Sequence, residues 1–145
     1  MAVDIHNKKA SYTYFLTDEF TAGIQLVGSE IKSIRQGKAS IGEAYCRFVK
    51  EEFFVFNLYI AEYPNAGYTP HEVRRPRKLL LNKTELKKLE RRLKDVGVTV
   101  VPTRMYIAPS GYAKLTISVA KGKKLHDKRA SLKDKDQARD MDRES

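Results

Sequence analysis

Tryptophan is absent from this 145-residue chain and cysteine occurs once, at Cys46. A lone cysteine closes no internal disulfide and builds no thiolate zinc cluster, which excludes a disulfide scaffold and a zinc ribbon. Apolar runs are short, Phe53 to Phe56 being among the longest, against the roughly 20 residues that a membrane-spanning helix requires. No apolar stretch follows the basic residues near the N-terminus, so a secretory signal is not expected and a reducing, cytoplasmic setting is. Histidine is scarce too: His6, His71 and His126 lie apart, none beside a cysteine or at metal-ligand spacing. No glycine-rich phosphate loop surrounds Gly37 or Gly42. Catalytic material is therefore thin, and the reading is a chain that is not an enzyme and takes no cofactor or metal, Cys46 serving as a buried structural thiol.

What is abundant is positive charge. Twenty-eight Lys and Arg against eighteen Asp and Glu leave +10, which favours a polyanionic partner. The excess is local. Residues 71–94 carry ten basic and three acidic side chains, and residues 121–145 nine and six, while the remainder is near neutral. In Arg74-Arg75-Pro76-Arg77-Lys78 four cations fall in five positions, which repel one another unless something anionic lies against them. Tyr12, Tyr14, Tyr63, Tyr68, Tyr106 and Tyr112 are interleaved with the basic residues; they serve either as half-buried sheet residues or as platforms for unpaired bases.

Hydrophobic periodicity predicts mostly strands. Residues 1–11 read as an N-terminal arm. Tyr12 to Val27 is β-like around a polar turn at Thr17-Asp18-Glu19, and Ser29 would cap a short helix to Arg35 that Gly37 ends. Ser40 to Val49 and Phe53 to Ile60 form a hairpin around Glu51-Glu52, and Leu79 to Leu81 a short buried segment. Asn82 with Glu85 has capping-box spacing, and Leu86, Leu89, Leu93 and Val96 line one face of a helix over 83–96 before Gly97. Its other face carries Lys87, Lys88, Arg91, Arg92 and Lys94, either solvated or touching phosphate. Val98 to Ala108 and Tyr112 to Ala120 form a second hairpin, in which Lys114, Thr116 and Ser118 share the polar face. Residues 122–145 hold too few apolar side chains to offset the ordering entropy of about 1–2 kcal/mol per residue, so a disordered basic tail is expected after a folded domain over 1–121. These patterns fit a small, mainly β protein, an oligonucleotide-binding-type antiparallel barrel with flanking helices.

Five ordered stretches sharpen this: Asn7-Lys8-Lys9-Ala10, Ala22-Gly23-Ile24-Gln25-Leu26, Gly28-Ser29-Glu30-Ile31-Lys32-Ser33-Ile34-Arg35, Arg77-Lys78-Leu79-Leu80-Leu81, and Gly122-Lys123-Lys124-Leu125-His126-Asp127-Lys128-Arg129. Together they span nearly the whole chain, which resembles the SsrA-binding protein (SmpB) family, partner of transfer-messenger RNA. The resemblance implies a six-stranded barrel that clamps the tRNA-like domain of that RNA, as a monomer on one RNA. It further implies delivery to stalled ribosomes, where the tail enters the decoding centre of the small subunit and the empty mRNA channel so that translation resumes on the RNA's own frame. By the same resemblance Asn7, Lys8, Lys9, Leu80 and Lys114 contact RNA, with Arg74, Arg75, Arg77 and Lys78 of the basic loop added on charge. For Leu80 core packing is an equal alternative, and Glu30 would anchor a helix start. In the tail, Gly122 would be a hinge; Lys123, Lys124, His126, Asp127, Lys128 and Arg129 would occupy the decoding site, and Lys133, Arg139 and Met141 the channel. Thr13 and Thr21 stand where relatives commonly carry acidic residues. A generic single-strand-binding barrel remains the competing reading.

Overall fold

The computed structural model describes residues 3–63 and 71–123. In chain order the elements are β1 (Asp4–His6), α1 (Ala10–Thr13), β2 (Tyr14–Ile24), α2 (Gly28–Arg35), β3 (Ala39–Ser40), β4 (Tyr45–Val49), β5 (Glu52–Phe56), β6 (Tyr59–Ile60), β7 (Arg77–Leu80), α3 (Lys83–Arg92), β8 (Val98–Ile107) and β9 (Ala113–Gly122). Every pairing is antiparallel, and the order β8-β4-β5-β7-β2-β9 returns to β8, closing a six-stranded barrel of the oligonucleotide-binding type. Closure removes the open sheet edges that invite aggregation. Alternation supplies the filling: Ala22, Val55, Leu115, Ile117, Val100 and Met105 point inward and are completely buried. Leu89 of α3 and Ile34 of α2 complete the same core. Cys46 lies within it, and burial pushes its thiol up, as suits a structural residue.

Several boundaries differ from the sequence expectation, each for a local reason. The N-terminal arm is in part a strand: β1 pairs residues 4–6 with 106–104 of β8 and adds a seventh strand beside the ring. The polar turn at 17–19 is a bulge in one continuous strand. Asp18 has a positive φ there, and its carboxylate accepts a hydrogen bond from Arg92 of α3. The expected strand from Ser40 to Val49 is broken into β3 and β4, and the segment from Phe53 breaks at Asn57 before β6 pairs with β3. Between β4 and β5 the turn sits at Lys50-Glu51, both left-handed, as a two-residue hairpin demands.

The helices begin by two different devices. Asn82 and Glu85 form the expected capping box, Asn82 Oδ1 accepting from Glu85 N at 2.8 Å and Glu85 Oε1 from Asn82 N at 3.0 Å. α3 ends at Arg92, so Val96 lies beyond the helical phase and is 93% exposed instead of sharing the apolar face. In α2 the N-cap is Val27, not Ser29; valine offers no acceptor, and the help comes from Glu30, which accepts from Val27 N at 2.9 Å. Ser29 is buried, its hydroxyl 2.8 Å from His71 Nδ1. His71 Nε2 lies 3.0 Å from the Ile60 carbonyl, which makes that nitrogen a donor.

A buried polar network is built on Glu30. Its buried carboxylate accepts from Arg75 Nε and Nη2 at 3.0 and 2.7 Å and from Arg77 Nε at 2.7 Å. Arg77 is completely buried, and its remaining donors reach the carbonyls of Leu58 at 2.6 Å and Val73 at 3.2 Å. Burial alone would raise the Glu30 carboxyl, but hydrogen bonds from Arg75 and Val27 and the charge of Arg77 outweigh it and hold the group below its ordinary value. Burial pulls the Arg77 guanidinium down while Glu30 opposes it; starting so high, it stays charged. Removing one partner of such a pair leaves an uncompensated buried charge, so Glu30→Ala should cost about 3–5 kcal/mol in urea unfolding. Because the folded-state value is depressed, the stabilisation is complete above the unfolded glutamate value of about 4.3 and fades as pH falls below it. Unfolding of wild type and Glu30→Gln between pH 7 and 3 should show the acid slope shrinking in the variant.

Candidate nucleic-acid interface

Register decides what shares a surface. Residues directly opposite in an antiparallel pair put their side chains on the same face. Leu80 opposes Gly23, Gly23 opposes Lys114, Lys114 opposes Tyr106, and Tyr106 opposes Asp4, one row across five strands. Two residues along lies a second row, Thr21, Thr116, Arg104 and His6. The intervening residues Ala22, Leu115 and Met105 are fully buried, so both rows face outward. Asn7-Lys8-Lys9 follows β1 directly and joins it to α1.

On this face Leu80 is 47% exposed, which removes the core alternative for it. Its side chain lies over Gly23, where an added Cβ would sit in ordinary van der Waals contact with Leu80 Cβ at 3.4 Å. Lys114 is half-buried in the same row, and Tyr112 beside the β8–β9 turn is 72% exposed. Lys8 and Lys9 are exposed, whereas Asn7 is used structurally. Its backbone N–H donates to the Thr103 carbonyl at 2.9 Å and its Nδ2 to Pro102 at 3.0 Å, while Oδ1 is buried with no partner among the described residues.

The basic loop has partners within the fold: Arg75 and Arg77 converge on Glu30, Lys78 Nζ reaches Glu52 at 2.8 Å, and Arg74 bonds the neutral Asn57 Oδ1 at 3.2 Å beside the Tyr59 ring. Arg77, expected to touch RNA, is 0% exposed and cannot reach a surface ligand. Sequence spacing could not show this, because its counter-ion lies 47 residues away. Nor is the polar face of β9 all exposed. Thr116 and Ser118 are buried, and Ala120 packs with Ala10 of α1 and Val101.

Apart from Thr21, the other sequence candidates lie away from the two rows. On α3, Lys87, Lys88 and Arg91 are exposed, as is Lys94 just beyond it, while Arg92 is tied to Asp18. Thr13 ends α1, whereas Thr21 is exposed on the outward face. Gly122 is the last residue of β9, opposite Tyr14, and Lys123 N still donates to Thr13 at 3.1 Å, so the sheet runs past the expected boundary at 121. Lys124, His126, Asp127, Lys128, Arg129, Lys133, Arg139 and Met141 lie outside the described residues, as does Tyr68. The sequence reading missed Asp4 and Arg104, whose only signal is a strand alternation that becomes meaningful once β1 is placed.

Residues 4–145 match the family model described as SmpB protein. The chain belongs to the SmpB family. Among its relatives, the SsrA-binding protein of Phocaeicola vulgatus is 55% identical over 141 residues, covering 97% of this chain and 94% of that one. The SsrA-binding protein of Bacteroides thetaiotaomicron is 54% identical over 142 residues, with 98% and 95% covered. A solved chain described under the words "tmRNA-SmpB: a journey to the center of the bacterial ribosome" superposes with a TM-score of 0.73 at 37% identity, over 90% of this chain and 94% of that chain. No helix among the described residues is long and apolar enough to cross a membrane.

The contrast between neighbours on β7 provides a test. Leu80→Asp changes an exposed position and should shift stability by no more than about 0.5 kcal/mol. Leu79→Ala, at a position 2% exposed, should cost about 2–5 kcal/mol in the same urea titration.

Proposed function

We propose that this chain is a non-enzymatic adaptor that grips the tRNA-like domain of transfer-messenger RNA and carries it to stalled ribosomes. The observation that carries the reading is convergence. Leu80, Lys114 and the Lys8-Lys9 pair come from three distant stretches and fall on or beside one outward face. Each brings a chemistry that RNA recognition uses: ammonium groups for phosphate, and an exposed apolar side chain for a base or ribose lifted out of its stack. A closed barrel holds them at fixed spacings, suiting recognition of a folded RNA by shape. The names of the relatives and the ribosomal setting of the solved neighbour support the same assignment.

The body and the tail divide the work. The strand that carries Lys114 leads directly to the tail, so RNA grip and ribosome probing are joined at Gly122-Lys123. Gly122 has open space around its Cβ position, so packing does not require glycine there, and on this reading it would act as a hinge. Lys124, Lys128 and Arg129 would bind phosphate of the small subunit at the decoding centre, and the planar imidazole of His126 would stack on a ribosomal base. Asp127 would accept hydrogen bonds there, while Lys133, Arg139 and Met141 would follow the empty mRNA channel. One chain would serve one RNA, in the cytoplasm.

Two variants separate these roles. Lys114→Ala should weaken binding to the tRNA-like domain by about tenfold, as expected for loss of one charge-assisted hydrogen bond. Removal of residues 130–145 should leave that affinity unchanged yet abolish tagging of nascent chains in a stalled-translation assay. Normal tagging by the truncated chain would refute the role of the tail. Equal affinity of the full chain for random RNA of the same length at physiological salt would reduce the body to a generic polyanion binder.

A further inference from the structure

Beyond Lys114, the two outward rows contain a cluster that the adaptor reading does not use. Arg104 of β8 donates from Nε to Asp4 Oδ1 at 2.7 Å and from Nη2 to Asp4 Oδ2 at 3.3 Å. Its guanidinium carbon lies 4.2 Å from the centre of the Tyr106 ring, within cation–π range. His6 Nε2 lies 3.1 Å from the same Asp4 oxygen. The side chains of Asp4 and Arg104 are 44% and 42% exposed, so the pair is open to a ligand. Tyr106 stands directly opposite Lys114 across the β8–β9 ladder.

A guanidinium carries five N–H donors in a rigid planar fork. Asp4 occupies one edge, formed by Nε and one hydrogen of Nη2, and Tyr106 supports the group from the sheet. The end-on edge, one hydrogen each of Nη1 and Nη2, has no partner among the described residues. An arginine held at one edge by a carboxylate loses less rotamer freedom when its other edge takes a planar or tetrahedral anion. The surface beside it is one on which Lys114, Lys8 and Lys9 already favour negative charge.

We propose that Arg104 is a further RNA-contacting residue, its free edge taking a backbone phosphate in bidentate fashion, with Asp4 and Tyr106 as positioning residues. This extends the RNA-binding face from β9 onto β8 and β1 and rests on the adaptor reading above. Asp4 lowers the local charge, so its contribution is aim and not attraction.

The test titrates the full chain with the isolated tRNA-like domain at several salt concentrations, comparing wild type, Arg104→Gln, Arg104→Lys, Asp4→Asn and, as reference, Lys114→Ala. Arg104→Gln keeps a stem over Tyr106 and should weaken binding about tenfold. It should also reduce the slope of log affinity against log salt by about 0.7–0.9, the value of one phosphate. Arg104→Lys should restore the slope and only part of the affinity, since an ammonium offers no fork. Asp4→Asn should keep the slope and weaken binding about threefold, as expected for a loss of aim alone. Wild-type affinity and slope in Arg104→Gln, with Lys114→Ala impaired, would overturn the inference and leave the adaptor reading standing. Indifference of the wild type between the tRNA-like domain and random RNA would overturn the reading itself. Should the variants lose cooperative melting, the Arg104 side-chain NMR signals of the unaltered chain decide: a shift on adding the RNA fragment supports the contact, and no shift refutes it.

Discussion

The buried carboxylate of Glu30 is the point on which the arrangement turns. It reaches back to the first turn of α2 through Val27 and outward to Arg75, and it neutralises Arg77 at the start of β7. Two segments distant in sequence, residues 27–30 and 75–77, are thus tied to one group of atoms. Buried ion pairs are costly to desolvate and often stabilise no more than apolar replacements would. Their specific contribution here is geometric. Arg77 must meet Glu30 and the carbonyls of Leu58 and Val73 together, which fixes where β7 begins. A slip of one residue in β7 would turn every side chain to the other face, burying Leu80 and exposing Leu79.

From that fixed register the outward face follows. Leu80 is set over Gly23, Gly23 beside Lys114, and Lys114 beside Tyr106, with β1 adding Asp4 at the far end of the row. The face is built on neighbouring strands of a closed barrel, so its spacings are those of the hydrogen-bond ladder, near 4.8 Å per strand. Such rigidity suits recognition of a folded RNA, because little ordering entropy is lost when the partner docks. The side chains on the facing strands form a different surface. There Tyr45 stacks on Phe56 at 5.6 Å and Arg47 lies 4.4 Å from the Phe56 ring, consistent with a local aromatic cluster on the β4–β5 hairpin.

Cations in this protein therefore differ in ways that composition cannot show. Arg75, Arg77, Lys78 and Arg92 are matched by carboxylates of the fold. Lys8 and Lys9 stand exposed at the edge of the outward rows, and Lys114 within one. The net charge of +10 states that an anion is welcome but not where. Within the densest basic run Arg75, Arg77 and Lys78 have carboxylate partners in the fold, whereas the exposed Arg74 reaches only the neutral Asn57.

Local rules carried much of the fold. Alternating apolar residues marked β2, β8 and β9, the Asn82–Glu85 spacing marked the start of α3, and Cys46 is buried as its strand position suggests. Motif order alone gave the family, because short stretches in fixed sequence are specific even when each is common. Tertiary structure alone decided that residues 4–6 form a strand, that Glu30 is the partner of Arg77 and Arg75, and that Leu80 and Lys114 share a row with Tyr106 and Asp4. The physical reason is one of range. Caps, turns and alternation are settled by atoms within a few residues, whereas pairing register and the choice of counter-ion depend on which distant segments closure of the barrel brings into contact.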